Sequence, residues 1–164
     1  MEVSNFITVA IVLALIIIPT VLVAWSLNKK KRGRAEKANK LRLQYQLNFS
    51  DSDSWDNRWL GLDKTEGKLL WFKEGSDGAD DSHQLIDLRK MSRCKKVNLS
   101  RSVSINKEIS QVIELLGLEL TPKDANGAPV LLEFYSEKNS FIFNFQLLLL
   151  SKWHTLVESQ LAAK

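Results

Sequence analysis

Residues 6–27 form one uncharged, mostly apolar run, broken only by Thr8, Thr20 and Ser26. That length matches the ~20 apolar residues a helix needs to cross a ~30 Å bilayer core. The pattern predicts a transmembrane helix, with Pro19 kinking it near 14–19 and Trp25 at the aromatic belt. Residues 41–49 then alternate strictly. Leu41, Leu43, Tyr45, Leu47 and Phe49 fall on one side, as in a strand with one buried face. A polar, acidic loop is expected at 50–57. Apolar runs at 58–62 and 68–72 around a turn ending in Gly67 predict a β-hairpin. Further strands are expected at 84–88, 94–99, 112–120, 130–135 and 141–145, with Asn126-Gly127 as a turn signal. From Leu147 the period changes. Leu149, Leu150, Trp153, Leu156, Val157 and Leu161 recur at spacings of three and four, which predicts an amphipathic helix over 147–162.

The expected fold class is therefore α+β, mainly β. An N-terminal transmembrane helix precedes a small bent antiparallel barrel or sandwich of seven or eight strands, capped by a C-terminal helix. The expected division is a short extracytoplasmic N-terminus at 1–5, the span at 6–27, a basic stem at 28–40 and one β domain at 41–164. At ~120 residues that domain is large enough for its own core. The strand order followed by a helix with a central Trp153 resembles the pleckstrin-homology superfold. The resemblance implies that Trp153 packs into one open end of the barrel. In phosphoinositide-binding members basic residues surround the first hairpin. The corresponding positions here would be Arg58, Lys64, Lys68 and Lys73, diluted by Asp56, Asp63, Glu66 and Glu74.

Charge refines the picture. The chain carries a formal +4 and a pI near 9.2. Residues 28–42 hold eight Lys or Arg and one acid, net +7, whereas 43–164 are net −2. The basic pI thus belongs to the stem, which argues against a nucleic-acid-binding face on the domain. Basic residues directly after the apolar run place the C-terminal side in the cytoplasm and the N-terminus outside, as a single-pass protein. Lys29, Lys30, Lys31, Arg32 and Arg34 are candidate membrane-surface contacts. The densest basic cluster in the domain, Arg89, Lys90, Arg93, Lys95 and Lys96, is a candidate second contact. Against that stands the ordinary solvation of charge runs.

Chemistry is sparse. The histidines are His83 and His154, and the lone cysteine is Cys94, flanked by basic residues of the kind that lower a thiol pKa, although a strand cysteine is more often structural. Asp51-x-Asp53 and Asp77-Gly-x-Asp80 begin like calcium loops, but the required Gly and Glu do not follow Asp51. No phosphate-binding glycine loop or nucleophile elbow is present. No catalytic, cofactor or metal residue is assigned, and the expected role is non-enzymatic. It is a membrane-anchored cytoplasmic binding or scaffold module contacting another membrane-associated protein, through an open sheet edge or the groove beside the terminal helix. The alternatives are an anionic-lipid sensor and an enzyme of unrecognised chemistry. The bilayer and a protein are the expected partners.

Overall fold

The computed structural model describes residues 17–19, 21–22, 25, 32–75, 80–105, 108–137 and 144–163. The chain divides into two units, 1–44 and 45–164.

In the first unit, residues 17–19, 21–22 and 25 are helical, and helix α1 occupies 32–44. No helix among the described residues is long and apolar enough to cross a membrane. That finding corrects the expected transmembrane helix, the single-pass topology with its outside and cytoplasmic sides, and the first element of the expected fold class. The continuous helix described in this unit, α1, carries Arg32, Arg34, Glu36, Lys37, Lys40 and Arg42, a charge density that no bilayer core tolerates. The rest of the 6–27 run lies outside the described residues.

The strand expected at 41–49 is also corrected. Helix continues to Gln44, Tyr45–Gln46 turn with Gln46 at φ +53°, and 47–49 are irregular. Leu43, placed on a buried face by the alternation, is 64 % exposed. The same residues satisfy a second period: Arg34, Ala38, Leu41 and Tyr45 recur at three and four and are withdrawn from solvent. Leu, Arg, Leu and Gln at 41–44 are all good helix formers.

The second unit is mainly β. Seven strands, β1 (Asp51–Trp55), β2 (Arg58–Asp63), β3 (Lys68–Lys73), β4 (Ser82–Asp87), β5 (Met91–Ile105), β6 (Glu108–Pro122) and β7 (Val130–Ser136), precede helix α2 (Asn144–Ala162). They form two antiparallel sheets, β1-β2-β3-β4 and β5-β6-β7. The acidic segment expected as a loop is instead β1. It is joined to β2 by the two-residue turn Asp56–Asn57, with Asp56 at φ +44°. Asp and Asn tolerate that conformation better than other side chains. The β2–β3 hairpin pairs Asp63 with Lys68, and its turn ends at Gly67, φ +61°. A short 3-10 turn, Leu88–Lys90, capped by the Asp87 side chain, carries the chain from the first sheet to the second. Of the strand expected at 141–145, residues 141–143 lie outside the described residues. Asn144 and Phe145 belong to α2, which starts before the expected 147.

One core unites both sheets and the helix. Leu60, Leu62, Leu69 and Trp71 from the first sheet meet Leu116, Leu118, Leu120, Leu132 and Phe134 from the second, with Leu149, Leu150, Trp153 and Val157 of α2. Burying such side chains contributes about 1.5–3 kcal/mol each. Trp55 stacks on Phe134 at 4.8 Å and its Nε1 donates to the Phe134 carbonyl at 2.9 Å, which fastens β1 to β7. Trp153 is 0 % exposed, and its Nε1 donates to Asp53 Oδ2 at 2.9 Å. Lys152 reaches the same carboxylate oxygen at 2.6 Å. Helix α2 is thus tied to β1 as well as packed on β5, β6 and β7.

The buried polar groups are structural. Arg58, 0 % exposed, is ion-paired with Glu133 and lies 3.8 Å from Asp56. Burial raises the Asp63 pKa, but N–H donors from Glu66, Asn48 and Thr65, with Lys68 nearby, outweigh it and hold the carboxyl below the ordinary range. These bonds fix the β2–β3 turn and anchor the segment after α1 at Asn48.

Candidate binding cleft

Strand β5 is an edge strand: its sheet neighbour is β6, and its other edge has no strand beside it among the described residues. Backbone N–H and C=O groups along such an edge form a template for another extended chain. Helix α2 packs close to this edge. Between them lies an open cleft of about 690 Å³. Strand β5 supplies Ser92, Arg93, Cys94, Lys95 and Lys96; α2 supplies His154, Glu158, Leu161 and Ala162.

The strand runs irregularly into the cleft. Register shifts between Met91 and Arg93, leaving Ser92 out of the pairing, and its hydroxyl donates to the Thr121 carbonyl at 3.1 Å. A bulge of this kind re-aims side chains beside a site. Cys94 then turns inward opposite Leu120, while Arg93, Lys95 and Lys96 remain exposed. On the helix, Trp153 and Val157 point into the core, so His154 and Glu158 fall beside them on the cleft side. His154 Nε2 lies 3.4 Å from Glu158 Oε1. Three cations and one carboxylate are among the residues that line the cleft, so its rim is net positive.

Cys94 belongs to the core cluster, in keeping with a structural strand cysteine. Burial, and secondarily the charge of Glu158, push its thiol up to about 12. It forms part of the cleft wall as a neutral, weakly polar group. Among the described residues no group of three or more His, Cys, Asp and Glu is placed to hold a metal ion. His83 instead shares a 3.0 Å hydrogen bond with the Tyr45 hydroxyl. Asp51 pairs with Lys64 at 2.7 Å, and Asp53 serves α2.

The structure divides the basic residues singled out by sequence. Lys29, Lys30 and Lys31 lie outside the described residues; Arg32 is exposed and Arg34 half-buried on α1. Arg89 and Lys90 sit in the 3-10 turn, with Arg89 Nε 3.1 Å from Asp87. Among the described residues of these two sets, Arg93, Lys95 and Lys96 line the cleft. The cations of the β2–β3 hairpin are all engaged: Arg58 as above, Lys64 with Asp51, Lys68 with Glu66 at 3.7 Å and Lys73 with Glu133 at 3.6 Å. The helical contributors, His154, Glu158, Leu161 and Ala162, were missed. Their signal was the α2 period, which sets 154, 158 and 162 four apart, flanking the buried Trp153 and Val157.

Comparison with family models, curated proteins and solved structures finds no match for this chain.

Proposed function

We propose that residues 45–164 are a non-catalytic binding module of pleckstrin-homology-like layout. Its ligand is an extended, acidic segment of a partner protein, laid along β5 in the cleft beside α2. The layout is supported by four- and three-stranded antiparallel sheets followed by a helix whose tryptophan is buried. The ligand reading is carried by one observation: an open strand edge, three exposed cations and a helix wall meet in one cleft. Main-chain pairing supplies affinity in such strand addition, and alternate side chains supply selectivity. Arg93, Lys95 and Lys96 favour carboxylates, while Leu161 and Ala162 give an apolar contact at the helix end.

The test uses the full-length chain and fluorescent extended peptides of glutamate-rich and lysine-rich sequence. The glutamate-rich peptide binds and weakens with salt; Arg93→Glu with Lys96→Glu removes that binding. Equal affinity for both peptides would overturn the reading. Vesicles with and without anionic lipid form the second arm. Charge-dependent vesicle binding without peptide binding would replace the protein ligand by a lipid surface.

A further inference from the structure

The two halves of β5 differ in charge and surroundings. Residues 93–96 carry three cations beside α2, whereas 97–105 (VNLSRSVSI) hold one, Arg101. Arg101 is neutralised within its own sheet, 3.1 Å from Glu114 and 2.8 Å from Glu137. Lysine on an edge strand discourages pairing with another chain, and proline does the same. The cations of the first half repel a neutral or basic chain and admit an acidic one, whereas the single cation of the second half is already paired.

This second half also extends beyond the support of β7. Strand β6 pairs with β7 only from Leu115 to Leu120. Beyond that point β5 and β6 continue, with no third strand beside them among the described residues, from the Ser100–Ile113 pair to Ile105–Glu108. A two-stranded ribbon is marginal in water, and three or more strands stabilise one another. The ribbon therefore gains from an additional strand.

The sequence points to which strand. About Ser102 it is a near-palindrome: Ser100 matches Ser104, and Leu99 matches Ile105 in register. An antiparallel contact between two copies about Ser102 sets residue i against residue j and the reverse, so this near-palindrome brings mostly like side chains opposite one another. Ser102 then meets Ser102 of the second copy, the other serines pair on one face, and Arg101 falls opposite Val103. Serine pairs of this kind are favourable across strands.

We infer that β5 residues 99–105 form a self-association edge. A second copy of this chain pairs there antiparallel about Ser102 and joins the two ribbons into a four-stranded sheet. This edge is separate from the 92–96 cleft and does not rest on the acidic-peptide reading. Seven residues span roughly 24 Å, a contact smaller than the ~1,200 Å² at which stable specific interfaces begin. The dimer is accordingly weak and concentration-dependent.

The experiment is sedimentation equilibrium of the full-length chain in mild non-ionic detergent, from ~1 to ~500 µM, the range of a small interface. Wild type dimerises within it. Ser102 is exposed, so Ser102→Lys and Ser102→Asp fold normally, checked by circular dichroism, yet each associates at least tenfold more weakly. An equimolar mixture of the two variants regains wild-type association, because opposite charges then meet at the symmetry point. In a second measurement, mild oxidation crosslinks Ser102→Cys but not Asn98→Cys. A wild type that stays monomeric, variants that associate as wild type does, or a mixture no tighter than its components would each overturn the inference.

Discussion

All six residues of β2 are buried, whereas along β5, in the hairpin it builds with β6, Cys94 is the only buried residue among those whose burial is described. Both hairpins are antiparallel and rich in apolar residues. The difference lies in their neighbours. β2 and β3 are flanked on both edges by β1 and β4. Their inner face joins the shared core, and their outer face is buried too, with Phe49 edge-on to Trp59 at 4.9 Å. β5 has one strand neighbour, and its ribbon outruns β7. Burial thus follows what adjoins a hairpin more than its own composition. Stability concentrates in the first hairpin and the helix, and exposed pairing capacity in the second.

Four experiments press on that contrast. The largest effect is expected where α2 enters the core. Trp153→Ala removes a fully buried indole and its bond to Asp53, and costs about 3–5 kcal/mol in urea unfolding. A loss below ~1 kcal/mol would place the stability elsewhere. Next comes the outer face of the first hairpin. A Cβ at Gly61 would stand 2.9 Å from the Phe49 ring and against the Trp59 ring. Gly61→Ala therefore costs about 1–3 kcal/mol by overpacking. A neutral result would show that this face yields.

A smaller effect is read from pH. Asp63 has a folded pKa below its unfolded one, so its contribution is present above the unfolded value near ~3.9 and is lost as pH falls through the folded value. Asp87 follows the same sign: burial raises its pKa, but the Arg89 side-chain and backbone bonds, with Arg89 and Lys90 charge, more than offset this. Urea unfolding at pH 7 and pH 3 should show a shallower acid loss for Asp63→Asn than for wild type. An unchanged slope would remove Asp63 from the hairpin's anchoring. The smallest effect belongs to β5. Arg93→Ala and Lys96→Ala should each change stability by less than ~0.5 kcal/mol, as exposed substitutions do. A larger loss would mean that the cleft cations support the fold, and the contrast between the hairpins would narrow.

The β2–β3 hairpin was legible because its apolar runs, turn residues and Gly67 agree. The α2 pattern was legible for the same reason. β1 was hidden by its serines and aspartates. Its identity depends on what those polar groups reach: Asp53 on α2, Asp51 on Lys64. Residues 41–44 show the opposite problem, since they satisfy two periods and backbone continuity decides between them. The basic cluster 89–96 was visible as composition, but its division between a turn and the cleft depends on the Ser92 bulge and on α2. Cys94 is structural, as a strand cysteine more often is, because the core encloses its thiol.

Asp53 holds Lys152 and Trp153 across some hundred residues of sequence. In a chain made from its N-terminus, β1 therefore waits for a partner that arrives after every strand has been synthesised. Until Trp153 and Val157 emerge from the ribosome, the finished sheets have no lid, and their leucines face chaperones or one another.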